Sequence, residues 1–593
     1  MIRNPVVGAL LLLSLSAAAP AARAEWPKEP SLNFAVADRS NEQVVPLIKN
    51  TADGGVYIAW MDRSTGSYVA YLQRLAPDGT EMWAHNGLLV SSHPQNSALF
   101  GWDMTVTVSD EAVLVFSDIR DGGDLDTFAY KIGPAGQFLW GPDGIQLSVN
   151  ATDFDASPRV AMATDGDAVF VWNRSPNTGD GDIRMQRIAP DGTVRYPANG
   201  LPIVAVTGES PSFAQIVPAE NGTVILSWLR NTKTLSTPRH LRARKFDATG
   251  TPVWPSFVTV YDAFTLPVGY YPEFQTDGAN GCFLSWYRSD GVWLSSFAQH
   301  LDAAGAEIFP HQGVALSTND SHHHVSPTMS VDTATGESIY FWDDRSSGQN
   351  FRGIYGQKLS AAGVRQWSDI GIEYMPLDTV PNALPHGVPY AGGAMFFLTD
   401  QPDAPSVDRL IGYRVDGNGA LVWGAGPLVV SSATPGTKGR YPVVIGPDGV
   451  VKIVWEDTRN GAADLYVQNV NPGGTLGPAA MPGAVGASLM VAKSAVTEGD
   501  LTLSWGASCS VGASDYAIYE GVIGDFASHV WRDCSDDGGD FVEELTPSPG
   551  SRYYLIVPLG EGSEGSYGQS SLGVERPRAP VPCKPVQQLG PCQ

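Results

Sequence analysis

Short apolar runs, each closed by a large ring, recur along most of the chain. They read VYIAW to Trp60, AVLVF to Phe116, AVFVW to Trp172, VILSW to Trp228, CFLSW to Trp286, SIYFW to Trp342, AMFFL with Phe397 at the matching place, and VKIVW to Trp455. Successive anchors stand 56, 56, 56, 58, 56, 55 and 58 residues apart. Runs this short, bounded by turn residues, predict strands. Three further segments accompany most of them. One precedes the run and is parted from it by an Asp/Gly turn such as Asp165-Gly166. A second follows it and carries a recurrent glutamine: Gln73, Gln186, Gln299, Gln357 and Gln468. After another turn a last segment brings an aromatic: Trp83, Trp140, Tyr196, Trp254, Phe309, Trp367 or Trp423.

Four short strands per period predict one antiparallel sheet, and eight such periods predict an all-β fold, an eight-bladed β-propeller. A sandwich does not supply eight equal units, and a β-helix has a far shorter period. Large flat rings in two columns suit the wedge between neighbouring blades. The eighth copy decays after Gln468 and lacks its outer strand, whereas Leu32–Val36 has that strand's pattern ahead of the first copy. The N-terminal strand is therefore expected to complete the last blade and remove two open sheet edges.

The repeats resemble a bacterial exported β-propeller family whose blades read W-x-D-R or W-x-D-x-R, then a glutamine strand, then G-x-x-x-W. The pattern stands as Trp60-Met61-Asp62-Arg63, Trp342-Asp343-Asp344-Arg345 and Trp455-Glu456-Asp457-Thr458-Arg459. The resemblance spans about residues 31–477, implies architecture and names no activity. After Gly477 the repeat stops. Residues 478–487 read as a linker and 488–577 as a small β-sandwich. Trp505, Tyr516-Ala517-Ile518-Tyr519 and Tyr553-Tyr554-Leu555-Ile556-Val557 resemble the core tryptophan, third strand and tyrosine strand of a fibronectin type III domain. A Pro-rich tail follows at 578–593.

Composition sharpens this picture. Gly (65) and Pro (44) are plentiful, as many tight turns require. The formal charge of −25 disfavours binding to nucleic acid or to anionic lipid. Residues 1–24 read as a signal peptide: Arg3, an apolar run from Val6 to Ala19, then Ala22-Arg23-Ala24. The expected location is secreted or periplasmic, as a monomer with no membrane span. An oxidising compartment permits disulfides. Of the three ways to pair four clustered cysteines, the simplest joins Cys509 to Cys534 and Cys583 to Cys592. Cys282, in an apolar run, is expected free and buried.

Candidate chemistry is sparse. GxSxG, HExxH, the Walker loop and GxGxxG are absent as spaced motifs, so catalytic residues stay unassigned and no cofactor is expected. The Asp and Arg after the runs (Asp62/Arg63, Asp118/Arg120, Asp344/Arg345, Asp457/Arg459) recur, which points to ties inside each blade. Trp60, Trp172, Trp228, Trp286, Trp342 and Trp455 are expected to be structural. The glutamines are expected to be buried amides bonding backbone. His322-His323-His324 in a strand would alternate faces, which disfavours one shared metal. The loops at Asp121–Asp126, Asn177–Asp182 and Asp536–Asp540 offer oxygen ligands for Ca²⁺, without the spacing of an EF-hand. The Asp-box spacing of sialidases fails. The G-x-x-x-W turns at Gly136–Trp140 and Gly363–Trp367 resemble those of quinoprotein dehydrogenases, whose vicinal cysteines are missing here.

The leading expectation is a non-catalytic binding or adhesion protein presenting a propeller face to an extracellular protein or glycan. The alternative is a propeller enzyme acting on carbohydrate, a glycosidase or lyase, or a quinoprotein-like propeller. Carboxylates and aromatics gathered at the axis, breaking the repeat, would favour the enzyme.

Overall fold

Each apolar run forms the second strand of an antiparallel sheet in the computed structural model of the chain. It describes residues 26–95, 101–120, 124–149, 152–232, 234, 237–267, 269–380, 385–401, 408–478, 481–486, 489–510, 512–537, 540–570 and 573–589. The signal-peptide reading of 1–24, the turn Asp121-Gly122-Gly123, Gly538-Gly539 and Cys592 lie outside the described residues.

Blade 1 is built from Gln43–Asn50, Val56–Asp62, Tyr68–Leu75 and Leu88–Gln95, each hydrogen-bonded to the next. Blades 2 to 7 repeat the order, from Asp103–Val106 as the first strand of blade 2 to Leu428–Ser431 as the last strand of blade 7. The first strands touch one another in chain order, and that of blade 8 touches that of blade 1. The sheets thus form a closed ring. Blade 8 takes its outer strand from the N-terminus: Phe34–Ala37 runs antiparallel to Asp464–Val470, with Phe34 opposite Val467. The free edges that an open array would leave are paired.

Two columns of rings fill the blades. The anchors Trp60, Trp172, Trp228, Trp286, Trp342 and Trp455 are almost wholly buried. Several stack on a ring of the third strand, as Trp60 does on Tyr71 at 5.7 Å and Trp286 on Phe297 at 6.1 Å. The outer column locks blade to blade. The indole N–H of Trp83 donates to the Pro134 carbonyl in the next blade at 3.3 Å, Trp140 to Pro190 at 3.4 Å, and Trp254 to Ala303 at 3.1 Å. Trp367 reaches Gly417 at 3.2 Å and Trp423 reaches Pro472 at 2.7 Å. The Tyr196 hydroxyl does the same to Ala248 at 2.8 Å. Phe309, which has no donor, lies against Gly363. The remaining interface, blade 8 to blade 1, is closed by Trp26, whose N–H meets the Pro77 carbonyl at 2.8 Å.

Each ring lies flat on a turn glycine. At Gly305 φ is +83° and a Cβ would stand 2.7 Å from Trp254; at Gly474 φ is +79° and a Cβ would stand 2.8 Å from Trp423. Only glycine satisfies both the backbone and the contact.

Beyond residue 478 a second body packs on the ring. Met490–Lys493, Leu501–Ser504 and Val542–Leu545 form one sheet; Asp525–Asp533, Asp515–Val522, Arg552–Leu559 and Ser563–Glu564 form the other, in that spatial order. Leu503, Trp505, Tyr516, Ile518 and Ile556 fill the space between them. The expected disulfides need correction. Cys534 pairs with Cys583, not with Cys509. The tail returns along the sandwich: Val586–Gln587 adds in parallel to Ser563–Glu564, and the Cys583 N–H donates to Glu564 at 2.8 Å. That carries Cys583 to the strand end at Cys534. Cys509 is also disulfide-bonded, and Cys282 is free and buried.

Candidate functional site

The first strands carry a recurrent irregularity. Val45, Ser157, Phe213, Ser326 and Arg440 all have positive φ, between 41° and 56°. The register shifts there, as between Val44 and Leu47 or Ser212 and Gln215. Non-glycine residues occupy this region at a cost, and such strain concentrates at functional sites. The bulge re-aims the residue that follows it.

That residue, and its equivalent in the blades whose first strand runs without a bulge, sits opposite the one preceding each anchor. The pairs are Leu47 with Ala59, Asp103 with Val115, Arg159 with Val171, Gln215 with Ser227 and Glu273 with Ser285. Thr328 pairs with Phe341 and Gly387 with Phe396, and the Pro442 carbonyl accepts from the Val454 N–H. These equivalent positions, one per innermost strand, form a ring around the axis. Its members are unlike one another, while the columns outside it are nearly uniform.

Most polar members tie one blade to the next. Asp103 accepts from the Val160 N–H at 3.1 Å, Gln215 donates to the Pro272 carbonyl at 2.6 Å, and Thr328 accepts from the Gly387 N–H at 3.2 Å. Arg159 donates to the Pro158 carbonyl at 2.8 Å, and its guanidinium lies 4.8 Å from the Tyr271 ring centroid. Tyr271 also meets the edge of Phe213 at 4.5 Å, and Tyr270 packs on Tyr287 at 4.5 Å. Glu273 differs. Its carboxyl makes no ion pair or side-chain hydrogen bond among the described residues, and burial alone pushes its pKa up to about 7. Burial also holds the nearby Tyr270 phenol well above its usual range. His386, against Tyr441 at 5.0 Å, is pushed down to about 4 by burial and is neutral at neutral pH.

A carboxyl with a pKa near 7 can give or take a proton at neutral pH. Tyr271, two residues from Glu273 and half-buried against the Arg159 guanidinium, brings an apolar ring and a positive charge to the same strand end, which suits a polar ligand with apolar faces. The sequence carries a signal for this ring: its members stand thirteen residues before the anchors in blades 1 to 5 and 8. Longer and shorter turns shift it in blades 6 and 7.

The expected Asp–Arg ties form only where the spacing allows. Asp118 and Arg120 pair at 2.7 Å, as do Asp457 and Arg459 at 2.6 Å, because the chain turns just after the aspartate and brings the arginine, backbone N–H included, back onto its carboxylate. The adjacent pairs do not form. Asp62 meets Arg39 at 3.5 Å and Arg63 meets Glu42 at 3.5 Å; Arg345 pairs with Asp343 at 2.6 Å instead of Asp344. The indoles of Trp342 and Trp455 donate to Asp344 and Asp457 two residues on. Asp344 also accepts from His322 at 2.7 Å, and burial raises its pKa. His323 turns the other way, toward Trp293 at 4.9 Å. The glutamines bond backbone, as Gln73 does to Ala84 at 3.0 Å and Gln468 to Pro27 at 2.8 Å. In the Asn177–Asp182 loop, Asp182 is engaged by Arg174 and Arg184.

No family model matches the chain, and no curated protein is similar to it. Solved structures are. One is a PL25 polysaccharide lyase, an ulvan lyase, at 9% identity over 75% of this chain and 97% of that one, TM-score 0.43. Another is the polysaccharide lyase Uly1, at 11% identity over 77% and 94%, TM-score 0.36. A third is the GH43 endo-arabinanase of Bacillus licheniformis, at 14% identity over 44% and 95%, TM-score 0.23. The leading expectation of a non-catalytic binding protein is corrected here. The similar structures bear the names of carbohydrate-active enzymes, and the axial ring breaks the repeat with the carboxylates Asp103 and Glu273, beside the rings of Phe213, Tyr270 and Tyr271. At these scores the names remain those proteins' own, and the weight rests on the ring.

Proposed function

We propose that the protein is an enzyme acting on an extracellular glycan, with its chemistry centred on Glu273 at the propeller axis. One observation carries this reading. Among equivalent positions around the axis, Glu273 alone among the polar members serves no tie between blades, and it holds a proton near neutrality. Its role is proton transfer to or from the sugar at the bond being broken. Arg159, Tyr271 and Phe213 hold the sugar beside it. The cleaved substrate is a polysaccharide, by hydrolysis or by elimination. Export is supported by the Cys534–Cys583 disulfide. The order of strands in the two C-terminal sheets supports a fibronectin type III-like module.

The test is a panel of polysaccharides, neutral and uronate-bearing, assayed for new reducing ends and for unsaturated uronate. Glu273→Gln is expected to lower turnover on the active substrate by about 100-fold or more. A wild-type chain inactive on the whole panel, or a fully active Glu273→Gln, would overturn the reading.

A further inference from the structure

At the turn between the first and second strands of the blades, a second feature breaks the repeat. In blades 1 to 6 the third strand places a basic residue against an acid of the turn before the second strand. Arg74 meets Asp53 at 2.7 Å, Lys131 meets Glu111 at 2.6 Å, and Lys245 meets Glu220 at 2.8 Å. Lys358 meets Glu337 at 2.7 Å in the same way. In blade 7 the turn has no acid, and Arg414 reaches Glu561 of the C-terminal sandwich. Blade 8 has Asn469 at this place, and a lysine stands directly across the strand pair, at 452.

Lys452 is 1% exposed, and its Nζ has no hydrogen-bond partner among the described residues. Asp448 stands nearby without pairing, and burial lowers the lysine's pKa. A buried ammonium without a partner is disfavoured, so a lone one calls for an acceptor. Lys452 lines a cavity of about 200 Å³ where blade 8 and blade 1 meet the linker and the tail. Trp26, Pro77 and Met481 supply apolar wall, and Asp78, Asp448 and Gln588 supply polar wall.

The wall selects a ligand. An anion would meet two carboxylates, and a cation would meet the ammonium. A neutral polyol offers lone pairs to Lys452, hydroxyl protons to Asp78 and Asp448, and C–H faces to the apolar side. We propose that this cavity is a second carbohydrate site, taking a neutral sugar of about one or two rings with Lys452 as its buried donor. The site is independent of the axial one: it uses none of the same residues.

The experiment is saturation-transfer NMR of the full chain with free glucose, galactose, rhamnose, xylose and arabinose. At least one sugar is expected to bind to a chain whose axial site is disabled by Arg159→Ala with Tyr271→Ala, and all further variants are made in that background, where Lys452→Met is expected to weaken binding at least tenfold. Met481→Trp, at a rim position 40% exposed, is expected to block the cavity and abolish the signal. The proposal is overturned if no sugar binds at tens of millimolar, or if binding persists in a folded Lys452→Met. If Lys452→Met does not fold, persistence of binding in Met481→Trp overturns it alone.

Discussion

The outer wedge and the axial ring are built by the same repeat and obey opposite rules. At the wedge a ring, a glycine and a carbonyl recur at nearly every interface, because each interface solves the same packing problem. At the axis the register is as constant, yet Leu47, Asp103, Arg159, Gln215, Glu273, Thr328, Gly387 and Pro442 run from apolar through neutral polar to acidic and basic. Uniformity marks positions that hold the ring together. Divergence at a fixed register marks positions where the tie between blades is made by unlike groups, as at Asp103, Gln215 and Thr328, or, at Glu273, is not made at all.

The comparison breaks first if the wedge is opened. Removing residues 25–38 deletes Trp26, the strand Phe34–Ala37 and the buried Val36. Lost burial and ladder bonds together are worth about 5 kcal/mol or more. The expected outcome is loss of the cooperative melt, seen by calorimetry; an unchanged melting temperature would show that the wedge is not what closes the ring. Gly474→Val comes next. It combines a positive φ with a clash on Trp423, and about 2–4 kcal/mol of destabilisation is expected by urea titration. Gly461, whose Cβ would meet nothing within 4 Å, is the control at which valine costs only the backbone term.

The axis is expected to respond to pH instead. Glu273 has a folded pKa of about 7, above its ordinary value of 4.5. The unfolded chain therefore releases this proton first. Stability from the half-buried neutral carboxyl is complete below about pH 4.5 and is lost as pH rises toward 7. Glu273→Gln should flatten that part of the melting-temperature profile; an identical profile in both proteins would show that the carboxyl is not buried as described. The smallest effect is expected at Gln215→Ala, which loses one bond to Pro272. About 1 kcal/mol or less is expected, measured by the same urea titration.

Much of the wedge was legible in the sequence, because aromatics and glycines at a fixed period are visible without coordinates. Trp26 was not. It stands eight residues before its strand, whereas Trp83 stands five before Leu88, so the extra residues hid its equivalence. The axial ring escaped for the opposite reason. Its spacing from the anchors is regular, but its members differ, and a search for similar residues passes over them. The adjacent Asp–Arg pairs do not form because Asp344 and Arg345 face apart on one strand and Arg63, just past its strand end, turns to Glu42. The Cys534–Cys583 bond was hidden by the tail, which returns to the sheet edge instead of closing on itself.

The shared last blade also sets an order of events during synthesis. Asn33 bonds Gln468, 435 positions later, so the earliest part of the ring to be made is the last to be seated. The entropy of holding so long a loop grows only slowly with its length, but contacts of such separation form late. A chain that stops before blade 8 is made leaves Phe34–Ala37 without its partner strand and Trp423 without the Pro472 carbonyl. The closure therefore acts as a test of completeness, which only a polypeptide made through the end of blade 8 passes.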